Sequence, residues 1–122
     1  MTHIISFSDQ QTTPEYDHPK PERRVTGNPR RGTCNHYTNS SGEVFSGEWT
    51  CEVGSWRIES GPAEDEFFFV VEGRVRITAD DGHSVEIGPG QSLVIPANFK
   101  GVFAVLEPLK KHYMIVDRKT PA

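Results

Sequence analysis

The sequence has few cysteines, no long apolar run and no basic surplus. Its longest apolar run has five residues, Phe67 to Val71, whereas a membrane helix needs about 20. Cys34 and Cys51 lack the paired spacing of zinc or redox motifs, so we expect reduced thiols, with a disulfide between neighbouring strands as the alternative. The net charge of −4 argues against a nucleic-acid partner. Because no basic and then apolar segment opens the chain, we expect no signal peptide, no membrane partner and a cytoplasmic location.

The chain changes in composition near residue 32. Its length of 122 residues predicts one folded domain. Residues 10–32 contain four prolines, many charges and one aliphatic residue, Val25, which predicts an extended N-terminal arm over residues 1–32. The arm carries a basic patch that fits either a solvated surface or an anionic partner. This patch consists of Arg23, Arg24, Arg30 and Arg31.

Residues 33–122 alternate between short strands and turns. The run Phe67–Val71 predicts a central strand, and because it does not alternate, both of its faces should be covered. Gly73 is expected to end that strand in a turn, and Asp80-Asp81-Gly82 predicts a hairpin. No long window has a helical period, so an all-β sandwich or barrel is expected. The other predicted strands cover residues 33–39, 43–50, 53–59, 74–79, 83–87, 92–96, 101–106 and 110–117.

Two spaced motifs in this region resemble those of the cupin superfamily. Glu66 lies seven residues before Gly73, and Gly90 lies six residues before Pro96, as in the first and second cupin motifs. Further stretches, including Gly47-Glu-Trp49 and Lys111-His-Tyr113, look like the cupin branch similar to the ethanolamine-utilisation and ureidoglycine-hydrolase cupins. The resemblance covers about residues 42–117 and implies a double-stranded β-helix, or jelly-roll barrel, and we expect the barrel domain to span residues 33–122.

The residues of this chain depart from the metal ligands that the resemblance implies. The two histidines usual before the first-motif glutamate fall at Ser60 and Pro62, or at Glu59 and Gly61, and the second-motif histidine falls at Gly101. One remaining carboxylate, Glu66, does not make a transition-metal site. We therefore expect no cofactor and no metal at the usual cupin position. The alternative is a divalent metal held by the unconventional set Glu64, Glu66 and His112.

The period of two along a strand predicts which side chains line the barrel. If Glu66 points inward, as the motif implies, Phe68 and Val70 point inward with it, and Glu64 lies on the same face. A lone inward carboxylate needs a partner, and Arg57, Lys111 and Tyr113 are the candidates for an ion pair or hydrogen bond. The predicted ligand-binding residues are Trp56, Glu64, Glu66, Phe68, Phe99 and Phe103.

Two functions fit this barrel. The first is a binding module that holds a small polar-ended molecule, for instance an amine, in an aromatic-lined pocket with an inward carboxylate. The alternative is an enzyme of hydrolase or isomerase type, with Glu66 as general acid or base and Lys111 or Tyr113 assisting. No nucleophile triad or phosphate-binding loop is present in the sequence.

The outward face of the central strand predicts a homodimer. If Phe68 and Val70 face inward, then Phe67, Phe69 and Val71 face outward. Soluble chains generally avoid such an exposed apolar patch. A second copy of the chain is the expected cover, with the start of the N-terminal arm as the alternative.

Overall fold

The computed structural model describes residues 2–119 and confirms an all-β chain. Apart from strands, these residues contain two single-turn 3-10 helices, Phe7–Asp9 and Pro21–Arg23, and no helix long and apolar enough to cross a membrane. The strands are β1 (Glu15–Asp17), β2 (Arg24–Thr26), β3 (Arg31–Thr38), β4 (Val44–Cys51), β5 (Gly54–Glu59), β6 (Glu64–Ala79), β7 (Ser84–Ile87), β8 (Ser92–Ile95) and β9 (Lys100–Asp117).

Two long strands, β6 and β9, hold the jelly-roll barrel together. They pair antiparallel with each other from Glu64↔Asp117 to Ala79↔Gly101, and each takes part in both sheets. The first sheet has the order β1-β3-β4-β9-β6-β8 and uses the second half of β9 and the first half of β6. The second sheet has the order β2-β5-β9-β6-β7 and uses the remaining halves. The barrel interior lies between the two sheets.

The predicted turn at Gly73 is wrong, because β6 runs through this position without ending. Gly73 has φ 87°, and a Cβ here would overlap the backbone of Pro108 on β9. Only glycine allows this backbone conformation and close approach together. The register between β6 and β9 shifts on both sides of Gly73, so the strand bends from the first sheet into the second.

The predicted break at Glu107-Pro108 is also a bend within one strand, β9. Proline has no N–H to donate to a neighbouring strand. Pro108 lies between the section of β9 that pairs with β5, which ends at Val105, and the section that pairs with β4, which starts at Leu109. No ladder hydrogen bond is needed there, so the strand continues through the proline. The other predicted strands of the barrel begin and end within two residues of their predicted bounds.

The N-terminal arm lies on the barrel and contributes an edge strand to each sheet. Its β1 pairs with β3, and its β2 pairs with β5. The bidentate contact between Arg31 and Asp17, at 2.7 and 2.8 Å, ties β3 to β1. The sequence did not predict these two strands, because each has only three residues and the arm shows no alternation of apolar and polar residues.

The two cysteines are free thiols. Although β3 and β4 are neighbours, Cys34 is paired in register with Glu48, three residues from Cys51. Cys51 is buried, and this burial raises the pKa of its thiol to about 12. The alternative of a disulfide is therefore wrong for this fold.

Candidate functional site

A cavity of about 710 Å³ opens between the two sheets. Strands β3, β4, β5, β6, β8 and β9 supply its walls, and the N-terminal arm supplies part of its rim. Its lining mixes aromatic, aliphatic and charged side chains, so it offers an apolar wall with a few polar groups. The lining includes Lys20, Arg23, Arg31, Asn35, Phe45, Trp49, Trp56, Arg57, Ile58, Glu59, Glu64, Glu66, Phe103, Lys111 and Tyr113.

An ion pair between Glu66 and Lys111 lies in this cavity. The Lys111 Nζ donates to Glu66 Oε2 at 2.6 Å, and the two side chains are only 6% and 19% exposed. They come from the paired strands β6 and β9, where the period of two turns both side chains inward. A buried pair of this kind is weak evidence for stability by itself, because desolvation offsets much of the attraction between the charges.

Three aromatic rings also lie close to the Lys111 ammonium. Its Nζ lies 4.2 Å from the Phe68 ring centroid, 4.5 Å from Trp49 and 5.2 Å from Phe103. Cations are attracted to the faces of aromatic rings at such distances. The rings therefore add a favourable electrostatic contact to the ion pair that Lys111 makes with Glu66.

Tyr113 lies beside this pair and is held as a hydrogen-bond donor. Its hydroxyl donates to Asn35 Oδ1 at 2.8 Å. Burial, and secondarily the negative charge of Glu66, raises the pKa of Tyr113 to about 12. The phenol is therefore protonated at neutral pH, and it does not act as a general base there.

Of the residues predicted to bind a ligand or to carry catalysis, six line the cavity and two do not. Trp56 stacks on Phe103 with ring centroids 5.1 Å apart, and this stack forms one wall. Phe68 is fully buried behind Lys111. Phe99 precedes β9, where the period of two no longer applies, and its ring packs beside Gly101 instead. The six that line the cavity are Trp56, Glu64, Glu66, Phe103, Lys111 and Tyr113.

The rim of the cavity contains residues that the sequence reasoning missed. Lys20 and Arg23 come from the arm, and Arg31 opens β3 with its guanidinium carbon 5.2 Å from the Trp56 ring centroid. Arg23 lies 3.8 Å from Glu59. Nothing in the arm sequence predicts that Lys20 and Arg23 lie at the rim. The period of two along β4, applied to Phe45, Gly47 and Trp49, would have predicted that Trp49 faces the cavity.

His36 and His112, the two histidines on barrel strands, lie on the outer face of the first sheet. Both face the carboxylate of Glu48, at 3.5 Å from His36 Nε2 and 3.2 Å from His112 Nε2. The ring of Phe7, from the arm, packs against both imidazoles. Because Lys111 and Tyr113 point inward, His112 between them must point outward. The alternative metal set Glu64, Glu66 and His112 is therefore wrong.

The residues at the usual cupin metal position do not fit a metal ion. Glu66 is already paired with Lys111. Gly101 stands where a histidine would be needed, and a Cβ there would overlap the Thr78 carbonyl oxygen. Within residues 2–119, no three histidine, cysteine, aspartate or glutamate side chains are arranged so that they could hold a metal ion.

Comparison with solved structures supports the fold. A protein of unknown function from Pseudomonas syringae pv. tomato matches with a TM-score of 0.75 at 18% identity, over 88% of this chain and 45% of that chain. The chain thus spans less than half the length of this neighbour. The Clostridium difficile EutQ protein matches with a TM-score of 0.64 at 22% identity, over 82% of this chain and 74% of its own. A putative ethanolamine utilization protein Q from Salmonella typhimurium matches with a TM-score of 0.64 at 15% identity, over 88% and 98%.

The family comparison agrees with these structures. No curated protein matches the sequence. The model of the EutQ-like cupin domain matches residues 38–113, which is more than half of the chain and includes both motifs. The chain therefore belongs to the family of EutQ-like cupin domains.

Proposed function

We propose that this protein binds a small, polar-ended organic molecule in the cavity between its two sheets. The observation that carries the proposal is the Glu66–Lys111 pair, which is buried in an aromatic-lined cavity of about 710 Å³. Ligand sites commonly combine an apolar wall with a few convergent polar groups. The aromatic stack would hold the apolar part of the ligand, and the ion pair would bind its polar end.

The polar end of the ligand meets both a donor and an acceptor. Lys111 has three N–H donors, and one of them is used by Glu66. Glu66 has a second oxygen, Oε1, beside the bonded Oε2. An amine ligand, which an unpaired Glu66 would have favoured, loses that advantage because Lys111 already neutralises the carboxylate. A carbonyl or hydroxyl group complements the pair better.

Tryptophan fluorescence gives a direct test, since Trp49 and Trp56 are the only tryptophans in the chain and both line the cavity. Hexanol, hexylamine and hexanoate share one alkyl chain and differ in the polar end. We expect a saturable change in emission, strongest for hexanol and weakened in Glu66→Gln. Arg76→Gln, on the exposed side of β6, is the matched control. No saturable change with any of the three probes would contradict the proposal.

A second candidate is proton-transfer catalysis at the same pair. The 2.6 Å contact places a proton donor next to a proton acceptor within the cavity, which is the arrangement that general acid–base catalysis uses. Glu66 would be the acid or base and Lys111 its partner. Tyr113 would orient a ligand through its hydroxyl and take no part as a base.

We also propose that the protein is a cytoplasmic homodimer. Its two thiols are unpaired, which suits a reducing compartment. On the outer face of the first sheet, Phe67 lies between Val94 on β8 and Met114 on β9. These three side chains are 47%, 59% and 44% exposed, so they form an apolar row that a second copy would cover.

A further inference from the structure

We propose that Lys111 is a nucleophile that forms an imine with a small aldehyde or unhindered ketone bound in the cavity. This inference rests on the proposed function, because it requires that the cavity admits a ligand. It goes beyond reversible binding by assigning a covalent step and a chemical class of ligand.

The first support is the burial of the amine together with its access to the cavity. Lys111 is 5% exposed, yet it forms part of the cavity lining. A lysine in an apolar pocket is the usual source of an amine nucleophile. The other lysines of the barrel strands, Lys100 and Lys110, are not part of this lining.

The second support is the adjacent carboxylate, which supplies the proton transfers. Glu66 Oε2 lies 2.6 Å from the Lys111 Nζ and can take a proton from the ammonium, which frees the lone pair for attack. As the N–C bond forms, the carbonyl π electrons move to oxygen, which receives that proton and gives a carbinolamine. The carboxylate then takes a second proton from nitrogen and delivers it to the hydroxyl, and the C–O bond breaks to release water.

The reaction balances without any other reactant. An ammonium and an aldehyde give a protonated imine and one water, and Glu66 ends as the carboxylate that it was at the start. The product keeps a positive charge at nitrogen. The aromatic rings of Trp49, Phe68 and Phe103, which surround the nitrogen at 4.2–5.2 Å, therefore stabilise the iminium as they stabilise the ammonium.

Reductive trapping tests the proposal. The full chain is incubated with benzaldehyde and sodium cyanoborohydride, and the secondary amine is located by intact mass and peptide mapping. We expect labelling of Lys111 at least tenfold faster than of any other lysine, and its loss in Lys111→Arg. Arginine keeps a positive charge next to Glu66 but forms no stable imine. Lys110→Arg is the matched control and should label at the wild-type rate.

Binding is measured in parallel by saturation-transfer NMR with benzyl alcohol, which has the same ring and no carbonyl group. Binding of benzyl alcohol without preferential labelling of Lys111 would overturn the imine and leave the proposed binding function standing. Absence of both binding and labelling would overturn both. Equal labelling of wild type and Lys111→Arg would place the reaction on surface lysines and also overturn the imine.

Discussion

The Lys111 ammonium donates to the Glu66 carboxylate at 2.6 Å, and the two partners differ in their access to water. The lysine side chain is 6% exposed, whereas the glutamate side chain is 19% exposed. Removing either partner leaves the other charged and unpaired. Because the lysine is buried more deeply, an unpaired Lys111 should lower the free energy of unfolding more than an unpaired Glu66.

We therefore expect the two single variants to differ in stability. Glu66→Leu should lower the free energy of unfolding by about 3–5 kcal/mol, the range for an uncompensated buried charge. Lys111→Met should lower it by about 1–3 kcal/mol, because the remaining carboxylate can turn toward water in the cavity. Denaturant unfolding measures both values. A larger loss in Lys111→Met than in Glu66→Leu would contradict this reading of the pair.

Tyr113 should lose its proton only at high pH. Burial and the Glu66 charge raise the pKa of Tyr113 to about 12, compared with about 10 in an unfolded chain. The folded state therefore holds this proton more tightly. Its contribution to stability is fully present below about pH 10 and is lost as the pH rises toward about 12.

Absorbance of tyrosinate during a pH titration checks this point. Tyr113→Phe should remove the tyrosinate absorbance that develops near pH 12, whereas Tyr37→Phe, at a side chain that is 39% exposed, should leave that ionisation in place. If an ionisation near pH 12 persists in folded Tyr113→Phe, its assignment to Tyr113 is wrong.

The two glycines with positive φ on either side of the second half of β6 should respond differently to alanine. Gly73 has φ 87° and touches Pro108, whereas Gly82 has φ 94° with open space around its Cβ direction. Gly82→Ala should cost about 1–2 kcal/mol for the backbone conformation alone. Gly73→Ala should cost more, because the backbone of β9 must also move. Equal unfolding midpoints for the two variants would show that the close approach of Gly73 to the Pro108 backbone does not affect stability.

The apolar row on the outer face predicts a dimer that one charge can break. Phe67→Glu places a carboxylate between Val94 and Met114 and should give a folded monomer, because an unpaired charge is costly to bury in an interface. Val85→Glu, at an exposed apolar residue of β7 on the second sheet, is the control and should leave the dimer intact. Light scattering gives the masses. A wild-type mass of 13.7 kDa, that of a single chain, would refute the dimer.

The barrel and its inward residues could be predicted from the sequence because two local rules apply there. The spacings Glu66–Gly73 and Gly90–Pro96 together indicated the family, and the period of two then placed Phe68 and Val70 toward the interior, where both are fully buried. The rule failed at Phe99, which lies in a loop where successive side chains need not alternate. It also could not choose among Arg57, Lys111 and Tyr113 as the partner of Glu66, since that choice depends on the register between β6 and β9.

Other features depend on tertiary contacts that no local pattern encodes. Glycine and proline are typical of turns, yet Gly73 and Pro108 both lie within long strands, because β6 and β9 bend together at this point. Lys20 and Arg23 reach the rim of the cavity because β1 and β2 fix the arm to the two sheets. In the sequence, the same arm is only a polar segment rich in proline.

The double variant Glu66→Leu/Lys111→Met tests the central claim most directly, since it asks whether the buried pair serves ligand binding. Replacing a buried ion pair by apolar side chains is often neutral or stabilising, so its unfolding free energy should stay within about 1 kcal/mol of wild type or rise. The decisive measurement is the affinity for hexanol from tryptophan fluorescence. We predict a loss of at least tenfold, and an unchanged affinity in a folded double variant would contradict the account.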